Sequence, residues 1–134
     1  MSDTTAGTPT SLDAVFTVRM TLGDPLPGAD ARFDLAKEWT GGAEGTSRGV
    51  MLTAGDPETG SAGYVVSETF EGTLGGRRGT LVLQQLGTMA AGEPELQYVI
   101  VPGSGTDELA GATGTVTIGE IHDDGRHEVR IQLA

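Results

Sequence analysis

Between residues 63 and 102 apolar and polar side chains alternate. Tyr64, Val66, Glu68 and Phe70 share one parity, as do Leu81, Leu83 and Gln85, and then Leu96, Tyr98 and Ile100. Successive side chains of a β-strand point to opposite faces, so each set lies on one face of a sheet. The runs are joined by TLGGRRGT and TMAAGEPE, and Gly75 with Gly76 supplies the positive φ angles of a primed hairpin turn. Three consecutive antiparallel strands are therefore predicted. Their shared face is apolar except at Glu68 and Gln85, where a polar group must find a partner, a ligand or water.

The same period extends along the rest of the chain. Ala14, Phe16, Val18 and Met20 predict a first strand over 13–21, ended by the proline-bearing loop GDPLPGAD. Residues 31–42, ARFDLAKEWTGG, hold helix-favouring Ala, Leu, Lys and Glu. Alternation of Phe33, Leu35, Lys37 and Trp39 nevertheless makes the segment a strand. Lys37 then shares the face of Trp39, and two readings stand. The ordinary one puts it near a rim with its amine in water; the other makes it a buried partner of Glu68. A strand over 44–54 sets Thr46, Arg48, Val50 and Leu52 opposite Ser47, Met51 and Thr53, and DPETGSAG turns it into the strand over 63–74.

Strands over 79–90 and 95–102 follow. The latter is apolar on both parities, with Val99 and Val101 opposite Tyr98 and Ile100, so its outer side is expected to lie against another segment or another subunit. The corner PGSGTDELAGATG contains Gly-Ser-Gly but lacks the GK[ST] ending and the long following helix of a phosphate loop. A short helical turn at TDELAG, plugging one end of the sheet with Leu109, is expected instead. Strands over 113–121 and 126–133 close the chain around a DDG turn. Residues 1–11 read as a disordered tail, leaving 12–134 as one β-barrel domain.

Eight sequential antiparallel strands close most simply into an up-and-down barrel, which removes both sheet edges. All six aromatics, Phe16, Phe33, Trp39, Tyr64, Phe70 and Tyr98, fall on the parity assigned to the interior. Composition narrows the uses of such a barrel. There are 134 residues, enough for one core, and no cysteine, which excludes a disulfide framework and thiolate chemistry. Nineteen acidic against eight basic residues give a net charge of −11, the wrong sign for nucleic acid or an anionic membrane. Arg77 and Arg78, an adjacent basic pair, read as a solvated turn tip. No apolar run is long enough to span a membrane and the start lacks a signal peptide's pattern, so the cytoplasm is the expected location.

Candidate chemistry is sparse. The two histidines, His122 and His127, flank Asp123 and Asp124, but hairpin geometry scatters these side chains over both faces, and neither a metal nor any other cofactor is expected. No serine has a histidine and acid arranged around it as a hydrolase triad. Glu68, among apolar neighbours, is the candidate general acid or base, and Gln85 on the adjoining strand can orient it or a ligand carbonyl. The competing reading has Glu68 satisfied by Arg48 or Lys37, or reaching solvent at an open mouth.

The series YVVSETFEGTLGGRRGTLVLQQLGT and YVIVPGSGTDELAGATGTVTI resembles a family of small uncharacterised bacterial proteins, a domain of unknown function with a barrel similar to allene oxide cyclase. The resemblance spans residues 31–133, and its most specific part is the VPGSGTDELAG corner, similar in kind to that of allene oxide cyclases and dirigent proteins. It implies a calycin-like, eight-stranded closed barrel whose lumen moulds a reactive apolar substrate for cyclisation or isomerisation. Family members carry a glutamate like Glu68 and a Leu-Gln-His run where this chain has Leu83, Gln84 and Gln85, so Gln85 stands in place of a histidine. The combined expectation is a cofactor-independent barrel for a small apolar molecule. Glu68 is its acid or base, and Phe33, Trp39, Arg48, Tyr64, Phe70, Gln85 and Tyr98 are its ligand-binding residues. A carrier without catalysis and a barrel that assembles with further copies through Val99 and Val101 are the alternatives.

Overall fold

Pleated alternation over almost the whole chain leaves little for helix, and the computed structural model, which describes residues 10–134, is a closed antiparallel barrel. Its strands are β1 Thr10–Gly23, β2 Ala31–Gly41, β3 Ala43–Asp56, β4 Ser61–Leu74, β5 Arg77–Ala90, β6 Glu93–Ile100, β7 Gly114–Ile121 and β8 His127–Leu133. Each pairs with its sequence neighbours, and β8 closes on β1, Thr10 lying opposite Leu133. The eight expected strands are all present. β2 is a strand throughout, with Leu35, Lys37 and Trp39 buried and the residues between them exposed. β1 begins at Thr10, so Thr10 and Ser11 belong to the wall and not to a tail; the rest of that predicted tail lies outside the described residues. Among the described residues no helix is long and apolar enough to cross a membrane.

Up-and-down order puts four connections at one end of the wall and three at the other, where β8 also pairs with β1. The end with the β2–β3 and β4–β5 turns is packed solid. Trp39 meets Phe16 with ring centroids 4.8 Å apart and Phe70 edge-on at 5.9 Å. With Leu74, Leu81, Leu83, Ile100, Val116 and Ile131 they leave a void of only about 10 Å³. The expected plug is present as a 3-10 turn, Asp107–Leu109, whose Leu109 is wholly buried. Gly75 and Gly76 both have positive φ, as the β4–β5 turn requires.

The glycine-rich corner earlier weighed as a phosphate loop serves the wall. Its polar atoms take the place of a strand along β5: the Val82 N–H donates to Ser104 Oγ at 3.0 Å and the Thr80 N–H to Thr106 Oγ1 at 3.0 Å. The Thr106 N–H returns a bond to the Thr80 carbonyl at 2.9 Å. Backbone donors of β5 that β6 does not reach are thereby satisfied.

The opposite end is open. β6 pairs with β7 only at Val99–Thr115 and Ile100–Gly114, and β1 follows β8 only as far as Phe16–His127. The β7–β8 hairpin thus stands free of the wall on both sides at this end. On the outside, the expected cover over β6 is not supplied by the described residues: Val99 is 37% exposed, and Val65 and Leu86 are 45% and 47% exposed.

Candidate functional site

The open end holds an apolar cup of about 770 Å³. Inward-facing residues from six strands form its wall, among them Phe33 from β2, Met51 from β3, Tyr64 from β4, Leu96 from β6, and Ile118 and Ile121 from β7. Gly87 on β5 faces Tyr64, and a Cβ there would come within 2.2 Å of the Tyr64 ring. The absent side chain is what lets the ring lie flat across β5, an arrangement that shields glycine backbone with an aromatic face. Its hydroxyl then donates to Gln85 Oε1 at 3.2 Å.

Beneath the cup lies a polar layer that separates it from the packed half. Lys37, Ser47, Glu68 and Gln85 are the buried polar side chains of the described residues. Lys37 Nζ donates to Glu68 Oε1 at 2.7 Å and to the Tyr98 hydroxyl at 3.1 Å, while that hydroxyl donates to the same carboxylate oxygen at 2.8 Å. The second oxygen, Oε2, accepts from the Ser47 hydroxyl at 2.5 Å, and Ser47 in turn accepts from Trp39 Nε1 at 3.0 Å. The ammonium sits 4.3 Å from the centroid of the Phe16 ring, a cation–π contact. Glu68 and Lys37 come from strands separated by β3. They meet because Gly49 of β3, opposite Glu68, carries no side chain: a Cβ there would lie 2.6 Å from the Glu68 Cβ.

Electrostatics follow from the burial. Loss of solvation pushes the Lys37 ammonium below the ordinary lysine value, outweighing the attraction and hydrogen bond of Glu68. Burial first, then the charge and hydrogen bond of Glu68, hold the Tyr98 phenol well above its ordinary value, with a hydrogen bond from Gln85 acting the other way. Burial also raises Tyr64. The layer is fully partnered, a relay of bonds running from Trp39 through Ser47 and Glu68 to Lys37 and Tyr98.

These positions revise the expected site. Of the residues assigned to a ligand, Phe33 and Tyr64 line the cup. Gln85, Tyr98 and Glu68 lie below it, in the polar layer. Trp39 and Phe70 belong to the packed half, held there by each other and by Phe16. Arg48 is exposed on the outer face, because it has the parity opposite to Ser47, and it is not the partner of Glu68. Lys37 is that partner: it is 4% exposed, so the rim reading of this lysine is overturned. Met51, Ile118 and Ile121 were not singled out in the sequence. Their aliphatic character on the inward parity marks a wall, and nothing local distinguishes a wall facing space from one facing core.

The histidines do fall on different faces. His127 stacks on Phe16 with ring centroids 4.7 Å apart. His122 lies outside between Glu128, which its Nε2 meets, and Glu120, 3.6 Å from its Nδ1. Ligand atoms of these three residues lie within 4.8 Å of one another, an arrangement able to hold a metal ion, whereas Asp123 and Asp124 are outside the group.

Comparison with known proteins agrees with the geometry. A crystal structure of a protein of unknown function from Shewanella oneidensis MR-1, of the DUF3224 family, superposes with a TM-score of 0.85 at 34% identity, covering 95% of this chain and 97% of the other. No curated protein matches the chain. The model of the DUF3224 family, proteins of unknown function, matches residues 13–133, so the eight-stranded barrel described above belongs to the DUF3224 family.

Proposed function

We propose that this protein binds a small apolar molecule in the open half of its barrel. The division of the interior carries the reading: one half is packed down to about 10 Å³ of void, while the other keeps about 770 Å³ behind an apolar wall. A barrel serving only as a scaffold gains by filling both halves, since unfilled apolar space forfeits dispersion contacts. The volume is that of a typical small-molecule site, with the Tyr64 hydroxyl, held by Gln85 beneath the cup, as a polar group in its wall.

Binding is better supported than acid–base turnover. Three donors already engage both oxygens of Glu68, below the cup. A cyclising or isomerising activity of the kind implied by the likeness to allene oxide cyclase would then act through the shape of the wall. Calorimetric titration with naphthylmethanol tests the binding reading. Met51→Trp with Ile118→Trp fills the cup and is expected to weaken binding at least ~10-fold, the scale of several lost apolar contacts, while leaving the melting temperature within a few degrees. Undiminished binding in the filled variant would overturn the assignment of the ligand to the cup.

A second reading, self-association, is favoured by the outer face of β3 to β6. Registered rows run Leu52–Val65–Leu86 and Val50–Ser67–Gln84–Val99, and neither contains a charge. In a chain of net charge −11, an uncharged apolar sheet face is where a second copy can approach with least repulsion.

A further inference from the structure

The four connections around the cup are acidic, and their charge is not compensated. Asp24 follows β1, Glu58 lies between β3 and β4, Glu93 begins β6 and Asp123 lies between β7 and β8. All are exposed, and none has an ion-pair partner among the described residues. Of the arginines in this half, Arg32 meets Asp34 at 3.2 Å and Arg126 meets Asp124 at 2.8 Å; Arg19 and Arg48, exposed on the outer wall on either side of Ala36, lie at the height of the polar layer, away from the entrance. The adjacent basic pair, Arg77 and Arg78, sits at the opposite end of the barrel. Among the described residues Glu95 is the sole charged side chain of the cup wall, with no lysine or arginine in that wall. The buried lysine, Lys37, is spent on Glu68 beneath the cup.

Resting on the ligand reading above, we infer that the cup selects apolar cations, molecules with an amine or quaternary ammonium on a hydrophobic body, and excludes apolar acids. A bound carboxylate would find no basic partner inside and a ring of like charge at the entrance. A bound cation gains the field of that ring, and the faces of Phe33 and Tyr64 in the wall carry the negative quadrupole that attracts ammonium groups. Low-dielectric walls concentrate such a field in the concavity, so charges on the loops act on a ligand they do not touch.

Three molecules sharing one apolar body separate the sign of the charge from the body: naphthylmethylamine, naphthylmethanol and naphthylacetate, each titrated calorimetrically into the full chain. At low ionic strength the amine is expected to bind about 10-fold tighter than the alcohol and the acetate about 10-fold weaker. In ~0.5 M salt, where screening is effective over a few ångströms, the three affinities converge. The variant Asp24→Asn, Glu58→Gln, Glu93→Gln, Glu95→Gln, Asp123→Asn is expected to shrink the spread to the smaller part that the aromatic faces supply, without changing the alcohol, with Trp39 emission confirming an intact packed half. An acetate binding as tightly as the amine overturns the inference and leaves the ligand reading standing, as does a preference for the amine that neither salt nor the variant alters. If the alcohol also fails to bind, the ligand reading falls and the inference falls with it.

Discussion

Lys37 and Glu68 carry the highest stakes of any pair in the molecule, because each is almost without solvent and depends on the other. Replacing Lys37 with Met strands a carboxylate in the core and is expected to cost about 3–5 kcal/mol in denaturant unfolding. The double variant Lys37→Met, Glu68→Met is expected to recover much of that loss, since a paired charge replaced by two apolar groups leaves nothing unsatisfied. The tyrosines offer a second check. Both phenols titrate above the ordinary value of 10.0 in the fold, so folding favours their protonated forms. Their contribution to stability is complete below pH 10 and is lost as the pH climbs through the raised values. Phenolate absorbance should therefore show Tyr64 ionising late and Tyr98 only together with unfolding. Glu68 could be found in the sequence because it interrupts an apolar parity. Its partner could be narrowed only to Lys37 or Arg48, since parity gives the face a side chain points to, while the height at which β2, β3 and β4 align, and the space left by Gly49, belong to register.

At the scale of elements, alternation was enough to place all eight strands, including β2, where helix propensity pulled the other way. Period-2 burial overrides propensity because the apolar face must meet the core. Strand ends were less legible: β1 runs through Thr10 because β8 offers it a partner across the closure, a contact that no local pattern announces. The role of Gly87 also depends on its neighbour strand. Gly87→Ala is expected to lift the Tyr64 ring off β5 and break its bond to Gln85, bringing the Tyr64 titration back toward 10.0 while Tyr98 stays unreactive. A Tyr64 titration unchanged in this variant would show that the ring has another support. The loop-borne hydroxyls of Ser104 and Thr106 illustrate a limit of motif reading: a Gly-Ser-Gly string with no phosphate role still has a definite task, completing the hydrogen bonds of β5.

The whole molecule is divided between a dense half, packed almost without void, and a hollow half, where the proposed ligand would sit. That division was not legible from composition, since aliphatic residues line both. The outer sheet face extends the argument to assemblies. If β3 to β6 join two copies, light scattering gives a mass rising with concentration, and Leu86→Glu, which sets like charges against each other across the contact, returns it to that of one chain. A constant single-chain mass in the unaltered protein would remove the self-association reading. The closure of Thr10 against Leu133 also bears on how the chain is made. Of the eight strands β1 is made first, and β8, which seals its free edge, is made last. At synthesis speeds of about 5–20 residues per second that edge stays bare for several seconds. During that interval the nascent sheet can be joined by a strand from a neighbouring chain, so the birth of this barrel, more than its finished form, is where chaperones and crowding are expected to matter.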